Sequence, residues 1–423
     1  MPPTRNPANW LSGLLLSPRV LRRVGEPFFR LKGFRKDAVP ARLASFRRIL
    51  VLRTDEIGDF VMTTPFLREL RRNCLESWIT MVVKPGVLNL AEACPYVNEV
   101  LTFEPNAFSP VRWRRLWRAC RLARQHLWVR RFDAAILPRW DADVNHATYV
   151  AYVSGAPCRV GYSENVSAFR RRENRGYDRL LTCVLTDASC KHEVEHGLDV
   201  VHALGGTVAD EGLEVWPRPE DEAFAEEALS RLPGAAPGPL VALGLGCREA
   251  RRRWPVARFT ETSRWLVEKW GARLLALPGP GEEAEADAWR KELSAGRAEC
   301  IRGTSLRQAA AILKRCRLFI GNNSGHKHLA AAVGVPVVEI TEFARDGDPE
   351  HPAAFHPGRF RAWGVPQCVV APARTTAPCV GACTAREPHC ILAVGVEEVE
   401  RAVTELLAKT EDRAPGPTES RTP

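Results

Sequence analysis

Within 24 residues, positions 317–340 read strand, glycine-bearing loop, helix, strand, and no other stretch of the chain restricts its fold as tightly. Leu318, Phe319 and Ile320 make a short apolar run, residues 321–325 carry turn chemistry, and the Ala-rich segment 327–333 is closed by Gly334 and Pro336. A helix entered in this way leaves the N–H groups of Ser324, Gly325 and His326 without intrahelical partners at the positive end of its dipole, where a diphosphate can sit. Gly325 lets an anion approach the main chain closely. An ordinary βαβ turn presents the same pattern, so the stretch alone establishes an α/β element and leaves anion binding open.

A similar pattern opens the first half. Residues 49–52 are apolar, 53–59 form a loop containing Gly58, and 60–72 read as a helix with Pro65 in an early turn. Strands at 78–83, 100–103 and 134–137 follow, with helical segments between them, which predicts a parallel, doubly wound sheet. Between 208 and 239, five prolines around a short acidic helix separate this from a second α/β pattern, with strands at 240–243 and 274–277. The expected division is a basic N-terminal segment 1–45, a first domain 46–207, a linker 208–239, a second domain 240–393, a terminal helix 394–409 and a disordered tail 410–423. With 423 residues, 45% of them apolar, the chain can give each domain its own core.

Charge is concentrated at one end. Residues 1–48 hold 11 Lys and Arg against Glu26 and Asp37, a net of +9 out of +10 for the whole chain. Trp10, Leu11, Leu14, Leu15, Leu16, Leu21, Phe28, Phe29 and Leu31 lie between those cations, a composition that suits a helix on an anionic membrane surface. A solvated tail, or a helix packed on the first domain, fits equally well, because Pro2, Pro3, Pro18 and Pro27 interrupt any long helix. No apolar run is long enough to span a bilayer and no signal peptide is evident, so a cytoplasmic protein, peripheral on the inner face of the membrane, is expected. Thirteen dispersed cysteines suit a reducing compartment.

Residues 112–132 place Trp113, Leu116, Trp117, Cys120, Leu127 and Trp128 at helical spacing among eight arginines, which predicts a core-facing stripe and a solvated Arg face. Those arginines could also meet the phosphates of an anionic lipid acceptor; nucleic acid is not expected, since no binding module accompanies them. Three constellations invite a metal. His192-Glu193-x-x-His196 matches a zinc-protease pattern on too short a helix, and Asp141-Ala142-Asp143 resembles a diphosphate-metal motif but is read as acceptor-cleft or surface acids. Cys368, Cys379, Cys383, His389 and Cys390 fall within 23 residues but lack a C-x2-C pair, so free thiols are the expectation.

The pattern N-S-G-x-x-H-L-A-A-A-x-G-x-P from Asn323 to Pro336, preceded by G-T-S-L at 303–306, resembles the donor-binding motif of glycosyltransferase family 9, the lipopolysaccharide heptosyltransferases. R-T-D-E-I-G-D-F-V-M-T-T-P at 53–65 is similar to the N-terminal signature of that family, and Arg252, Trp254, Pro255 and Phe259 match a third block. The resemblance spans about residues 48–408 and implies a GT-B architecture, two Rossmann-like doubly wound domains facing a cleft. It implies an inverting, metal-independent transfer of a heptose or related sugar, with no cofactor. The implied donor is a nucleotide-diphosphate sugar, ADP-heptose first, and the implied acceptor an anionic glycolipid, of the lipopolysaccharide core or another cell-envelope glycan. The donor contacts it implies are Arg252, Asn323, Ser324, Gly325, His326 and His328, with Glu282 or Glu283 on the ribose. Arg53, Thr63 and Thr64 fall on the acceptor side. Asp59 is the expected base, with Asp55 second, since each stands in the loop at the carboxyl end of the first strand. Asn323 departs from the Asp frequent in the family, which leaves open a catalytically silent sugar-nucleotide-binding protein, or another GT-B enzyme such as an epimerase.

Overall fold

A computed structural model describes residues 17–34, 41–104, 112–232, 238–293, 296–347 and 356–411. The chain forms two units that meet in sequence between Trp216 and Pro217. Among the described residues, each unit carries one six-stranded, wholly parallel sheet. In the first, β1 (Arg48–Arg53), β2 (Trp78–Val83), β3 (Glu99–Thr102), β4 (Ala134–Ile136), β5 (Cys158–Tyr162) and β6 (Cys183–Leu185) stand in the order β3-β2-β1-β4-β5-β6. In the second, β7 (Leu240–Gly244), β8 (Arg273–Ala276), β9 (Ala298–Cys300), β10 (Leu318–Asn322), β11 (Val337–Ile340) and β12 (Gln367–Val370) stand as β12-β11-β10-β7-β8-β9. Central strands such as β1 (RILVLR) and β10 (LFIGN) are almost wholly buried, as a parallel sheet covered by helices on both faces requires. The order reverses between β1 and β4 and again between β7 and β10, and a ligand crevice opens at the carboxyl ends of strands flanking such a reversal.

Several boundaries move. The first helix runs Ile57–Asn73, not 60–72: Glu56 is its N-cap, and Asp59 is its third residue, so Asp59 lies inside the first turn and not in the preceding loop. The linker expected at 208–239 divides between the units. Asp210, Gly212 and Glu214 all bind Arg68 on that first helix, whereas the helix Pro219–Ser230 is tied to the helix Leu306–Leu313 by the buried pair Asp221 and Arg307, 2.8 Å apart. The terminal helix is Val396–Glu411. Residues 412–423 lie outside those described, as do Trp10, Leu11, Leu14, Leu15 and Leu16.

On the helix Arg112–Leu122, Ala119 and Leu122 are buried and Leu116 partly so, with Leu127 buried beyond its end; Trp117 is 55% exposed and Cys120 also faces solvent, so the apolar stripe is narrower than expected. The acids at 141 and 143 are not at the surface: Asp141 accepts from Ser167 Oγ, and Asp143 accepts from the N–H groups of Ala147 and Thr148, capping the helix Ala147–Val153. At the N-terminal side, the helix Pro18–Leu31 packs on the first unit through Phe29, which stacks edge-on against Tyr152 at 5.8 Å, and Gly25 admits the Tyr152 hydroxyl where a Cβ would lie 2.4 Å from it.

At the reversal in the second unit, Gly321 of β10 pairs in register with Gly244 of β7, and a Cβ on Gly321 would stand 2.9 Å from the Gly244 Cα. The Phe319 ring occupies the space beside both glycines. Gly321→Ala is therefore expected to destabilise the protein by about 1–3 kcal/mol, the cost of overpacking, read as a lower denaturant midpoint at unchanged m-value.

Candidate active site

In the first unit, β1 delivers Arg53 into a buried cluster of carboxylates. Its guanidinium meets Asp59 Oδ1 at 2.9 Å, Asp55 Oδ2 at 3.2 Å and Glu193 Oε2 at 3.4 Å, and all four side chains are at least nine-tenths buried. Arg139, just beyond the adjacent β4, reaches Asp55 Oδ1 at 2.5 Å and Asp59 Oδ1 at 3.9 Å. Asn145 Nδ2 donates to the Thr54 carbonyl and to Asp55 Oδ1. Two guanidinium groups thus face three carboxylates. Both aspartates have donors on both oxygens: Asp55 takes them from three side chains, and Asp59 takes Arg53 at Oδ1 and the Glu56 N–H at Oδ2, closing a capping box. Burial pushes the Asp59 carboxyl above the usual aspartate range against the pull of Arg53, with Asp55 and Glu193 adding to the rise.

Thr63 lies one turn after Asp59 and its hydroxyl donates to the Asp59 carbonyl. Thr64 is fully buried; its hydroxyl donates to the Val61 carbonyl and accepts the Glu214 N–H, which makes it a structural residue of this helix. The zinc-like pattern dissolves here: His192 is the N-cap of the helix Glu193–Ala203, His196 stacks on Trp140 at 4.6 Å, and Glu193 belongs to the Arg53 cluster. Glu193, Arg139 and Asn145 were missed in the sequence. The signal that finds Arg139 and Asn145 is topological, since β4 is the strand beside β1 across the reversal.

In the second unit, the loop after β10 enters the helix Gly325–Ala332 through Ser324, whose side chain makes no capping bond and whose hydroxyl is buried without a partner among the described residues. The first N–H groups of the helix are therefore left without a side-chain cap, which is what an anion at this terminus would need. His326 faces a narrow crevice with Gly244, Gly246, Leu277, Pro278 and Glu282. Burial lowers the imidazole below its ordinary range while Glu282 pulls it back up, so near neutrality it is a neutral hydrogen-bonding group. Glu282 lines this crevice and accepts the Gly279 N–H at 2.9 Å, whereas Glu283 turns to the Gly281 N–H at 2.8 Å on the exposed side. A Cβ at Gly246 would fall 1.9 Å from the Glu282 carboxyl carbon, so a side chain there would push that carboxylate aside. His328, two residues after His326, lies about 200° round the helix and is buried.

Arg252 is buried beside β7, with Nη2 on Glu249 at 2.9 Å and Nε 3.3 Å from Glu342. Trp254 and Phe259 are core residues in edge-to-face contact at 4.9 Å, and Cys247 donates its thiol to the Asn323 carbonyl. Asn323 Oδ1 accepts from Lys327 Nζ at 2.9 Å, and the same ammonium pairs with Glu339 of β11 at 2.6 Å, both fully buried. The counter-charge that an aspartate at 323 would supply thus comes from the strand below.

Set beside known proteins, the chain matches the family described as glycosyltransferase family 9 (heptosyltransferase) over residues 122–382. The chain belongs to glycosyltransferase family 9. Lipopolysaccharide heptosyltransferase 1 of Pseudomonas aeruginosa is 25% identical over 303 residues, 69% of this chain and 78% of the relative. A family 9 glycosyl transferase from Veillonella parvula superposes with a TM-score of 0.68 at 21% identity, covering 86% of this chain and 98% of that one. The E. coli heptosyltransferase WaaC with ADP gives 0.60 at 19% identity, covering 85% and 99%. The fold is GT-B, and the family 9 protein is a glycosyltransferase of the heptosyltransferase type.

Burial raises the Glu339 carboxyl and lowers the Lys327 ammonium, each opposed by the other's charge. Lys327→Met leaves Glu339 buried without its partner and is expected to lose about 3–5 kcal/mol of stability at neutral pH. Because the folded-state pKa of Glu339 lies above its unfolded value, the penalty belongs to the ionised form. The deficit should shrink as pH falls through that raised value, measured by denaturation of mutant and parent over a pH series.

Proposed function

We propose that this glycosyltransferase moves a heptose from ADP-heptose to a hydroxyl of an anionic lipopolysaccharide-core acceptor, with inversion and with no metal in the reaction. One observation carries the reading: each unit places its polar cluster at a strand-order reversal, and the two clusters have complementary chemistry. The second unit offers the open helix terminus at Ser324, Gly325 and His326 for a diphosphate, with Glu282 at the mouth of the crevice for a ribose hydroxyl. Arg252 stabilises the charge that develops on the departing nucleotide diphosphate. The ADP bound to the E. coli relative and the heptosyltransferase name of the Pseudomonas relative support this donor.

In the first unit, Asp59 takes the proton of the acceptor hydroxyl as that oxygen attacks the anomeric carbon. It is favoured over Asp55 because Asp55 is held by three side chains, Arg53, Arg139 and Asn145, and because burial raises the Asp59 carboxyl above the usual aspartate range. Arg53 keeps Asp59 oriented. Glu339 also favours an active enzyme over a silent binder, since the loop at Asn323 keeps a neutralised lysine without an aspartate.

Asp59→Asn and Arg252→Ala separate the two halves. Asn keeps hydrogen-bonding capacity at the capping box but cannot take the proton, so Asp59→Asn should bind ADP normally in calorimetry and lose about a hundredfold or more in turnover. Arg252→Ala should weaken ADP binding by about ten- to a hundredfold. Turnover should fall on the acid side as Asp59 protonates, at a pH above the ordinary aspartate range. Full turnover in Asp59→Asn refutes the base; loss only in Asp55→Asn transfers the role.

We place the enzyme on the inner face of the cytoplasmic membrane through the helix Pro18–Leu31. No helix among the described residues is long and apolar enough to cross a membrane. Away from its buried Phe29, this helix exposes Arg19, Arg22, Arg23 and Arg30 together with Val24, Phe28 and Leu31. Reversing Arg22, Arg23 and Arg30 to Glu spares the Phe29 anchor and should abolish co-sedimentation with anionic vesicles, each cation being worth up to about 1 kcal/mol at such a surface. Undiminished binding by that variant removes the helix from the membrane contact.

A further inference from the structure

Between β12 and the terminal helix, three of the thiols noted in the sequence converge on one imidazole. The ligating atoms of Cys379, Cys383, His389 and Cys390 all lie within 4.8 Å of one another, and the three cysteines are at most 5% exposed. His389 Nδ1 is 3.5 Å from Cys379 Sγ and also 3.5 Å from Cys390 Sγ. A ring nitrogen has one in-plane lone pair or one N–H, so it can serve one of those sulfurs well but not both. A shared ion serves both: bonds of about 2.3 Å to sulfur and 2.0–2.1 Å to nitrogen in a tetrahedron set S···N spacings of about 3.6 Å and S···S spacings of about 3.8 Å. The Thr384 N–H points at Cys379 Sγ at 3.4 Å and the Thr376 N–H at Cys390 Sγ at 3.5 Å, contacts that stabilise thiolate over thiol. Gly381, at φ 70°, turns the chain tightly between the first two cysteines.

We propose that Cys379, Cys383, His389 and Cys390 form a closed tetrahedral Cys3His site for a thiophilic divalent ion, Zn2+ by its donor set. Four protein ligands leave no open position, so the ion is structural and takes no part in group transfer. Its binding displaces the thiol protons to solvent. The free-thiol expectation drawn from spacing is thereby replaced, and Cys368, on β12, is left outside the site. The ion also has a mechanical task. Cys383 accepts, at its carbonyl, a 2.6 Å bond from Arg251 Nη1, and Arg251 shares Glu249 with its neighbour Arg252. Fixing Cys383 therefore fixes the loop that presents the Arg252 guanidinium.

The test is elemental analysis of the full-length protein purified without chelator or metal-affinity resin. The expected result is about one zinc ion per chain, close to none in Cys383→Ser and Cys390→Ser, and full content in Cys368→Ser. Should the serine variants fail to fold, the parent protein decides: stripped at low pH and refolded with Co2+, it should develop sulfur-to-cobalt charge-transfer absorption with tetrahedral d–d bands. Removal of the ion should also lower the melting temperature. A parent protein that holds no stoichiometric metal and gives no such absorption overturns the site. So does a disulfide between any two of the three cysteines, found by mass spectrometry after alkylation, and iron in place of zinc overturns the assignment of the ion.

Discussion

The reversal of strand order is the constraint on which both halves of the chemistry depend. Helices leaving a parallel sheet on opposite faces pull the loops apart where the order turns, and a space opens that the fold itself does not fill. In the first unit that point lies between β1 and β4, so Arg53 and Asp59 come from one side and Arg139 and Asn145 from the other. In the second it lies between β7 and β10, so Arg252 and Gly246 come from one side and Ser324 and His326 from the other. The pairing of Gly244 with Gly321 at the floor keeps the backbones close enough for these loops to share a ligand.

Much of this was legible in the sequence because strands buried on both faces are uninterrupted apolar runs, and most of the central strands announce themselves in that way. Several of the outer strands did not. β5 begins Cys-Arg, β6 and β9 are three residues long, and β12 follows a turn-rich stretch, so neither length nor periodicity distinguished them from loop. The start of the first helix was misplaced because Gly58 reads as loop, whereas Glu56 and Asp59 together make a reciprocal cap that only the structure reveals. The candidate residues carried by the family motifs could be named from sequence. Arg139, Glu193, Glu339 and Glu342 could not, since what makes them part of a site is a neighbour far away in the chain.

Buried charge is handled the same way in both units. A cation from a strand end, a loop or a helix is set among carboxylates, and burial raises Asp59, Glu339 and Glu342 while the cation holds them down. Such clusters contribute little net stability, because desolvation offsets the attraction, but removing one member strands the others. Their effect is to fix side chains at the rim of each crevice in one orientation, which is what positioning a phosphate or a hydroxyl requires.

The lysine beneath the loop after β10 needs one carboxylate, and here it stands on β11 at Glu339 while position 323 is neutral. Positions 323 and 339 therefore act as one electrical unit: an aspartate placed at 323 would relieve Glu339 of balancing the lysine, whereas losing Glu339 with Asn323 in place leaves an unsupported ammonium in the core.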